Sequence, residues 1–269
     1  MINQLKVFLD KKVEEYNQPS FINNDPICIP HLFSRKQDIE IAGFFAAIFA
    51  WGNRTTIINK SKQLMLLMDN APYEFCLNHG LLDLKRLMEF KHRTFNTTDL
   101  LYFIEFLKHH YKTNTSLESA FFCNQPLNQK VSSSNPVVTG LERTVERALN
   151  SFHHYFFSLT DIPVRTKKHI AFPEKNATCK RLNMYLRWMV RKDDKGVDFG
   201  LWKKISPAQL ICPVDVHVAR VARHFKLLDC KVLNWQAALQ LTGNLRLLDR
   251  EDPVKYDFAL FGLGVARNF

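Results

Sequence analysis

The chain has few of the motifs that mark several common classes of protein. It contains only nine glycines, and none of them forms the G-x-x-x-x-G-K loop that binds nucleotide phosphates. No H-E-x-x-H metal motif is present, and the six cysteines form no C-x-x-C pair. Charged residues stand where a signal peptide would have its apolar core, and the most apolar segment is too short to span a bilayer. These absences predict a reduced, cytoplasmic protein with no metal, no cofactor and no membrane contact.

The charge of the chain is strongly positive. Lysine and arginine number 37 against 26 aspartates and glutamates, which gives a net charge of +11. Such an excess favours a polyanionic partner through phosphate contacts and counterion release, and by itself it fits RNA as well as DNA. With 269 residues, 46% of them hydrophobic, the chain is long enough to bury a sizeable core.

Apolar residues recur at helical spacing along most of the chain, and no segment alternates as a strand would. The most apolar segment, 38–51, predicts a buried central helix. A last helix is expected to begin at Pro253 and to stop at Gly262. The same periodicity predicts other helices at 1–16, 60–68, 81–90, 98–111 and 141–157.

A change of composition divides this succession of helices. From 123 to 140 the chain is rich in Asn, Gln, Ser and Pro, which is typical of a loop with little to bury. We therefore predict an all-α fold of two helical lobes with a cleft between them. The predicted boundaries are an N-terminal lobe at 1–125, a linker at 126–140 and a second lobe at 141–269.

A helix predicted over 179–191 has one apolar and one polar face. The apolar face carries Leu182, Tyr185, Leu186 and Met189. The polar face carries Lys180, Asn183, Arg187 and Arg191. A lysine therefore stands at the start of this helix, at one end of a polar stripe.

A second helix is predicted directly after Pro213. The proline forbids a regular helix before it, and Asp215 follows where a side-chain oxygen can accept hydrogen bonds from the first helical turn. We expect Asp215 to be the N-cap of this helix. His217 and Arg220 then lie together on its polar face, so the aspartate is held at the start of a basic helix.

These two segments together resemble the active site of the helix-hairpin-helix (HhH-GPD) DNA glycosylases. The resemblance rests on Lys180-x-x-Asn183-x-x-Leu186 and on Pro213-Val-Asp215-x-His217-x-x-Arg220, and it covers roughly residues 170–225. The second motif is the more specific, and it is most similar to the archaeal 8-oxoguanine DNA glycosylase type. The whole chain also resembles an uncharacterised bacterial protein family whose functional hint is its similarity to these enzymes.

The sequence departs from the glycosylase pattern in three ways. The hairpin before Lys180, residues 172–179, contains no glycine, so it must bind a phosphate differently or not at all. Thirty-five positions separate Lys180 from Asp215, which is longer than in the common glycosylases but similar to the archaeal 8-oxoguanine type. No terminal cysteine cluster is present to hold an iron–sulfur centre.

The resemblance implies a function in base-excision repair. Lys180 would attack the sugar C1′ as a neutral amine and form a Schiff base, and Asp215 would stabilise the positive charge that develops on the sugar. The expected partner of this monomer is double-stranded DNA with a damaged base, an oxidised purine such as 8-oxoguanine. The residues expected to contact DNA are Asn53, Arg54, Asn183, Arg187, His217 and Arg220.

Two other functions also fit the sequence. The chain could bind nucleic acid on the same fold without turnover, in which case Lys180 would tolerate substitution without loss of binding. It could also be an enzyme that acts on RNA, because the sequence identifies no residue that reads a base. An extruded purine needs a surface on which to stack. The candidates for that surface are Trp51, Trp188, Trp202 and Phe261.

Overall fold

The computed structural model describes residues 2–122 and 140–266. All regular secondary structure in these two ranges is helical, apart from an isolated bridge between His92 and Phe95, so the predicted all-α class is confirmed. The α-helices within them are α1 (Ile2–Tyr16), α2 (Pro19–Ile22), α3 (Lys36–Phe49), α4 (Arg54–Leu67), α5 (Pro72–Asn78), α6 (Leu81–Lys85), α7 (Thr97–Tyr111), α8 (Glu118–Phe121), α9 (Gly140–Phe156), α10 (Lys180–Val190), α11 (Val216–His224), α12 (Trp235–Arg246) and α13 (Tyr256–Val265).

The predicted linker cannot be compared with the structure, because its residues 126–139 lie outside the described part of the chain. The division into two lobes therefore stays a prediction. Helices from either side of the linker pack directly on one another, since α1 lies along α13 and α3 lies on α10.

The predicted central helix is α3, and it is buried from Asp38 to Phe49. A side-chain carbon added at Gly43 would meet Tyr185 at 3.3 Å and Met189 at 3.2 Å, so α10 approaches closely at this point. Phe44 packs against Phe103 of α7 and Phe152 of α9. Burial of these large rings supplies most of the stabilisation expected of such a core. The helix that carries Lys180 is thus packed directly on the most buried element.

Glu40 is the polar centre of this core. Its carboxylate accepts hydrogen bonds from the Tyr111 hydroxyl at 2.9 Å, the Leu117 amide at 3.0 Å and the Trp202 indole at 2.7 Å. A buried charge is tolerated where several donors replace its lost hydration. Glu40 therefore ties α3 to α7 and to the segment after α10.

Three helices differ in their bounds from the sequence predictions. The helix expected from residue 60 begins at Arg54, because Asn53 caps it by accepting from the Thr56 amide at 3.1 Å. The helix expected over 81–90 ends at Lys85. The last helix begins at Tyr256 instead of Pro253, after a short 3-10 turn at Pro253–Lys255, and it continues past Gly262 to Val265.

The glycines of α13 serve packing instead of helix termination. A carbon added at Gly262 would lie 2.4 Å from the Tyr16 ring of α1, and one at Gly264 would lie 2.9 Å from the His217 carbonyl of α11. The neighbour of Gly262 is a side-chain ring, whereas the neighbour of Gly264 is backbone, and a glycine allows two backbones to approach this closely. Gly264 therefore allows α11, which follows Asp215, to lie against α13.

Among the described residues, none of the helices has the length and apolar character needed to cross a bilayer.

Candidate active site

Lys180 and Asp215 lie together at the surface of the molecule. The Lys180 Nζ is 3.2 Å from the Asp215 Oδ2, and the two side chains are 27% and 19% exposed. The lysine is the first residue of α10, and the aspartate immediately precedes α11. Tertiary packing therefore forms an ion pair, open to solvent, from two residues that stand far apart in sequence.

The cap of α11 orients the Asp215 carboxylate. Its Oδ1 accepts from the His217 amide at 2.9 Å and from the Val218 amide at 3.0 Å, which confirms the predicted N-cap. The first turn of a helix favours negative charge through its free N–H groups. Because Oδ1 serves the cap, the other oxygen, Oδ2, is the one that faces Lys180.

The hairpin before Lys180 forms without glycine. Asn176 and Cys179 both adopt left-handed backbone conformations, with φ of 53° and 51°. Asparagine tolerates this region better than most residues, whereas cysteine has no such preference. Cys179 is buried, and its thiol donates to the Ala177 carbonyl at 3.3 Å. The turn that presents Lys180 is therefore stabilised by local packing and hydrogen bonding.

The start of the hairpin is held against α9 by a stacked pair of rings. His153 lies with its ring centroid 3.6 Å from that of Phe172 at an interplanar angle of 19°. Burial lowers the pKa of His153 to about 4, from an ordinary value of 6.5. The imidazole is therefore neutral in the folded protein at neutral pH.

This shift predicts a pH dependence of stability. Between pH 6.5 and about 4 the unfolded chain protonates His153, whereas the folded protein does not, so its contribution to the free energy of unfolding falls as the pH falls. His153→Phe keeps a ring on Phe172 but removes this titration. We expect the variant to gain stability relative to wild type as the pH falls through this window. Urea denaturation at several pH values measures the difference, and parallel pH profiles would contradict the prediction.

Beside the ion pair lies a cavity of about 390 Å³. Its walls come from the start of α10, the loop around Val214, Trp51 in the turn that follows α3, and the segment around His169. A volume of this size falls within the range of small-molecule sites. His169 has its Nε2 3.2 Å from the Asp99 Oδ2, and burial lowers its pKa to about 4, so it is neutral at neutral pH.

Arg181 also lines this cavity, although the sequence gave no reason to expect its side chain there. Its Nη1 donates to the Ile48 carbonyl at 2.6 Å and its Nη2 donates to the His169 carbonyl at 3.0 Å. Burial lowers the pKa of Arg181 to about 10, which leaves the guanidinium charged at neutral pH.

The polar stripe predicted on α10 is mostly internal. Asn183 is 1% exposed and Arg187 is 3% exposed, so neither side chain has access to a bound duplex in this conformation. Asn183 donates to the Thr178 carbonyl at 3.1 Å. Arg187 pairs with Asp198 at 3.3 Å and forms a short hydrogen bond with Asp257. The predicted DNA contacts of these two residues are replaced by contacts that hold α10 in place.

Arg191 extends this buried network. It pairs with Asp198 at 3.1 Å and with Asp252 at 2.8 Å, and the Asp252 side chain makes no capping hydrogen bond to the short helix that follows it. Burial raises the pKa of Asp257 to about 6 against the opposing effect of Arg187, and the nearby charge of Asp215 adds to the rise. A network of compensated charges thus lies beneath Asp215.

The other residues predicted to contact DNA are accessible. Asn53 is exposed at the start of α4, and His217 and Arg220 are exposed on α11. Arg54 is partly exposed, with its guanidinium 5.4 Å from the Phe261 ring centroid. The Arg220 Nη2 donates to the Gly264 carbonyl at 2.5 Å. Their contact with DNA stays a prediction.

The candidate stacking surfaces differ in access. Trp188 and Trp202 are 0% and 1% exposed, and both belong to the core. Trp51 lines the cavity, and the Arg93 guanidinium lies 4.6 Å from its ring centroid. Of the three candidate tryptophans, Trp51 is therefore the one that a bound ligand could reach. Within the described residues, no group of three or more His, Cys, Asp or Glu side chains is arranged to hold a metal ion.

Residues 25–266 match a protein family described as a protein of unknown function, DUF2400. The match covers most of the chain, including the Lys180 hairpin and the Asp215 loop, and the chain therefore belongs to this family. No curated protein and no solved structure matches it.

Proposed function

We propose that this protein is a DNA glycosylase with abasic-site lyase activity, built on the two-lobed helix-hairpin-helix fold. The observation that carries the proposal is the 3.2 Å contact between Lys180 and Asp215 beside a cavity. A primary amine at a helix start and a carboxylate at the next helix start are the two groups that lysine-dependent base removal requires. The proposed partner is double-stranded DNA, bound by a monomer in the cytoplasm.

In the proposed reaction each of the two groups has a role. The Lys180 nitrogen, once it has lost a proton, forms a bond to C1′ of the sugar while the base leaves with the electrons of the glycosidic bond. Asp215 Oδ2 is within reach to accept the lysine proton and to offset positive charge on the sugar. Ring opening then gives the Schiff base, from which the strand is cleaved by elimination of a phosphate.

The surface around the pair suits a duplex. The chain carries a net charge of +11, and His217, Arg220 and Asn53 are exposed. Phosphate contacts from such residues position a duplex without reading its sequence. Trp51 on the cavity wall offers an aromatic face to an extruded base. The proposed substrate is an oxidised purine, 8-oxoguanine, which follows from the resemblance of the Pro213-Val-Asp215 segment to the 8-oxoguanine enzymes.

A panel of damaged duplexes tests this proposal. Duplexes that contain 8-oxoguanine, uracil, alkylated adenine, an oxidised pyrimidine or an abasic site are incubated with wild type and with Asp215→Asn. Asparagine is as good an N-cap as aspartate, so the variant keeps the cap of α11 while it loses the charge. We expect release of 8-oxoguanine by wild type, and a fall of at least about 100-fold in the variant.

Other results would contradict parts of the proposal. Cleavage of the abasic duplex alone would make the protein a lyase without a base pocket. Release of uracil or of alkylated adenine would show that the substrate is wrong. Tight binding to damaged DNA or to structured RNA without turnover would favour the two alternatives that the sequence leaves open.

A further inference from the structure

Arg181 holds an unusual position beside the ion pair. It follows Lys180 directly, yet its side chain extends to the wall of the cavity and bonds two backbone carbonyls, Ile48 at 2.6 Å and His169 at 3.0 Å. One carbonyl belongs to the last turn of α3, and the other ends the short 3-10 helix Val164–His169. Two separate elements thus hold the guanidinium in one orientation.

The charge of Arg181 has no acidic partner. In residues 2–122 and 140–266, no carboxylate forms an ion pair with it, whereas Lys180 is balanced by Asp215. His169, which shares the cavity wall, is neutral at neutral pH because burial lowers its pKa to about 4. The carbonyls, together with the negative end of the α3 dipole, offset only part of a full positive charge. The cavity is therefore electropositive before any ligand binds.

The guanidinium also has N–H donors that the two carbonyls do not use. It carries five N–H groups in a planar fork, and the two carbonyls engage two of them. This fork matches the geometry of phosphate oxygens, and hydrogen bonds between two charged groups are among the strongest in proteins. An anionic oxygen group is thus the ligand chemistry that complements both the charge and the donors.

We infer that Arg181 binds a phosphate group of the ligand in this cavity, next to Lys180. The inference rests on the proposed function, in which this phosphate flanks the extruded nucleotide. Arg181 is then a binding residue that fixes the sugar-phosphate unit while Lys180 approaches C1′. A free phosphate-bearing ligand would present the same chemistry, and the experiment separates the two sources.

The test removes the charge from the phosphate, from Arg181, or from both. Binding is measured to duplexes with a tetrahydrofuran abasic analogue, in which a single neutral methylphosphonate replaces the phosphate on the 3′ or the 5′ side. At one of these positions we expect wild type to lose about tenfold or more in affinity. Arg181→Gln should bind the unmodified duplex more weakly and be indifferent to that methylphosphonate.

Two further variants serve as controls for this comparison. Lys85→Gln removes a positive charge from the exposed face of α6 and should stay as sensitive to the methylphosphonate as wild type. Arg181→Lys keeps the charge without the fork and should keep part of the sensitivity, and it replaces Arg181→Gln if the glutamine variant does not fold. If the methylphosphonate lowered affinity equally in wild type and in both Arg181 variants, the inference would be overturned. Arg181 would then not contact that phosphate, and its role would be structural only.

Failure of the proposed function gives a different result. Wild type would then show no preference for the abasic duplex over an undamaged one. Inorganic phosphate is the probe in that case: a rise in Tm for wild type but not for Arg181→Gln would support a phosphate site at Arg181 for a free ligand. The absence of such a rise, together with the absence of any DNA preference, would overturn the inference as well.

Discussion

Replacing Lys180 with glutamine is expected to abolish the covalent complex that borohydride traps between this protein and lesion-containing DNA. Glutamine has no nucleophilic amine, so no Schiff base can form and be reduced. We expect strand cleavage to fall by at least about 10³-fold, the scale found when a catalytic nucleophile is removed. Binding to DNA should persist, because the chain has 37 lysines and arginines and Lys180 contributes one charge among them.

The same hairpin supplies a control for this experiment. Lys175 is exposed five residues before Lys180, and Lys175→Gln should leave both trapping and cleavage close to wild type. Gel mobility after borohydride treatment and denaturing gels for cleavage measure the two effects. Trapping by Lys180→Gln at the wild-type level would show that another amine is the nucleophile, and the role given to the Lys180–Asp215 pair would be wrong.

Removing the Arg187 guanidinium should have the largest effect on stability. Arg187→Met retains most of the apolar length of the side chain but leaves Asp257 without its arginine and deprives Asp198 of one of its two. Breaking a buried ion pair from one side costs about 3–5 kcal/mol, because the remaining charge is desolvated and unpaired. We expect a loss of that size in the free energy of unfolding, measured by urea denaturation.

Two further variants identify the cause of that loss. Arg250 is exposed, so Arg250→Met should change stability by no more than about 0.5 kcal/mol. Combining Arg187→Met with Asp257→Asn should recover part of the loss, because Asp198 still has Arg191. A stable Arg187→Met protein that binds DNA poorly would restore the direct DNA contact predicted from the sequence.

The local structure of the candidate site follows from the sequence alone. Pro213 and Asp215 predict the start of α11, and the structure has the N-cap at that residue. Helical periodicity places Lys180 at the beginning of α10, as observed. Both predictions succeed because capping and helix initiation depend on residues within one turn of each other. The contact between Lys180 and Asp215 does not follow from such local rules. Predicting it required the resemblance to known glycosylases, and observing it required the structure.

Tertiary structure alone decided which polar residues are buried. On α10, periodicity groups Asn183, Arg187 and Arg191 on one face but does not say what that face meets. The face meets Asp198, Asp252 and Asp257, which belong to segments further along the chain, and their charges make its burial tolerable.

Sequence patterns also do not predict the roles of Arg181 and Gly264. Arg181 lines the cavity because the carbonyls of Ile48 and His169 hold it there, and Gly264 stands within α13 because the backbone of α11 passes close to it. Every residue type has a backbone carbonyl, and any segment can pass close to another backbone. No pattern of side chains therefore predicts these contacts. The sequence by itself determined the helices and their caps, whereas the cavity, its unbalanced charge and the buried network depended on contacts between distant segments.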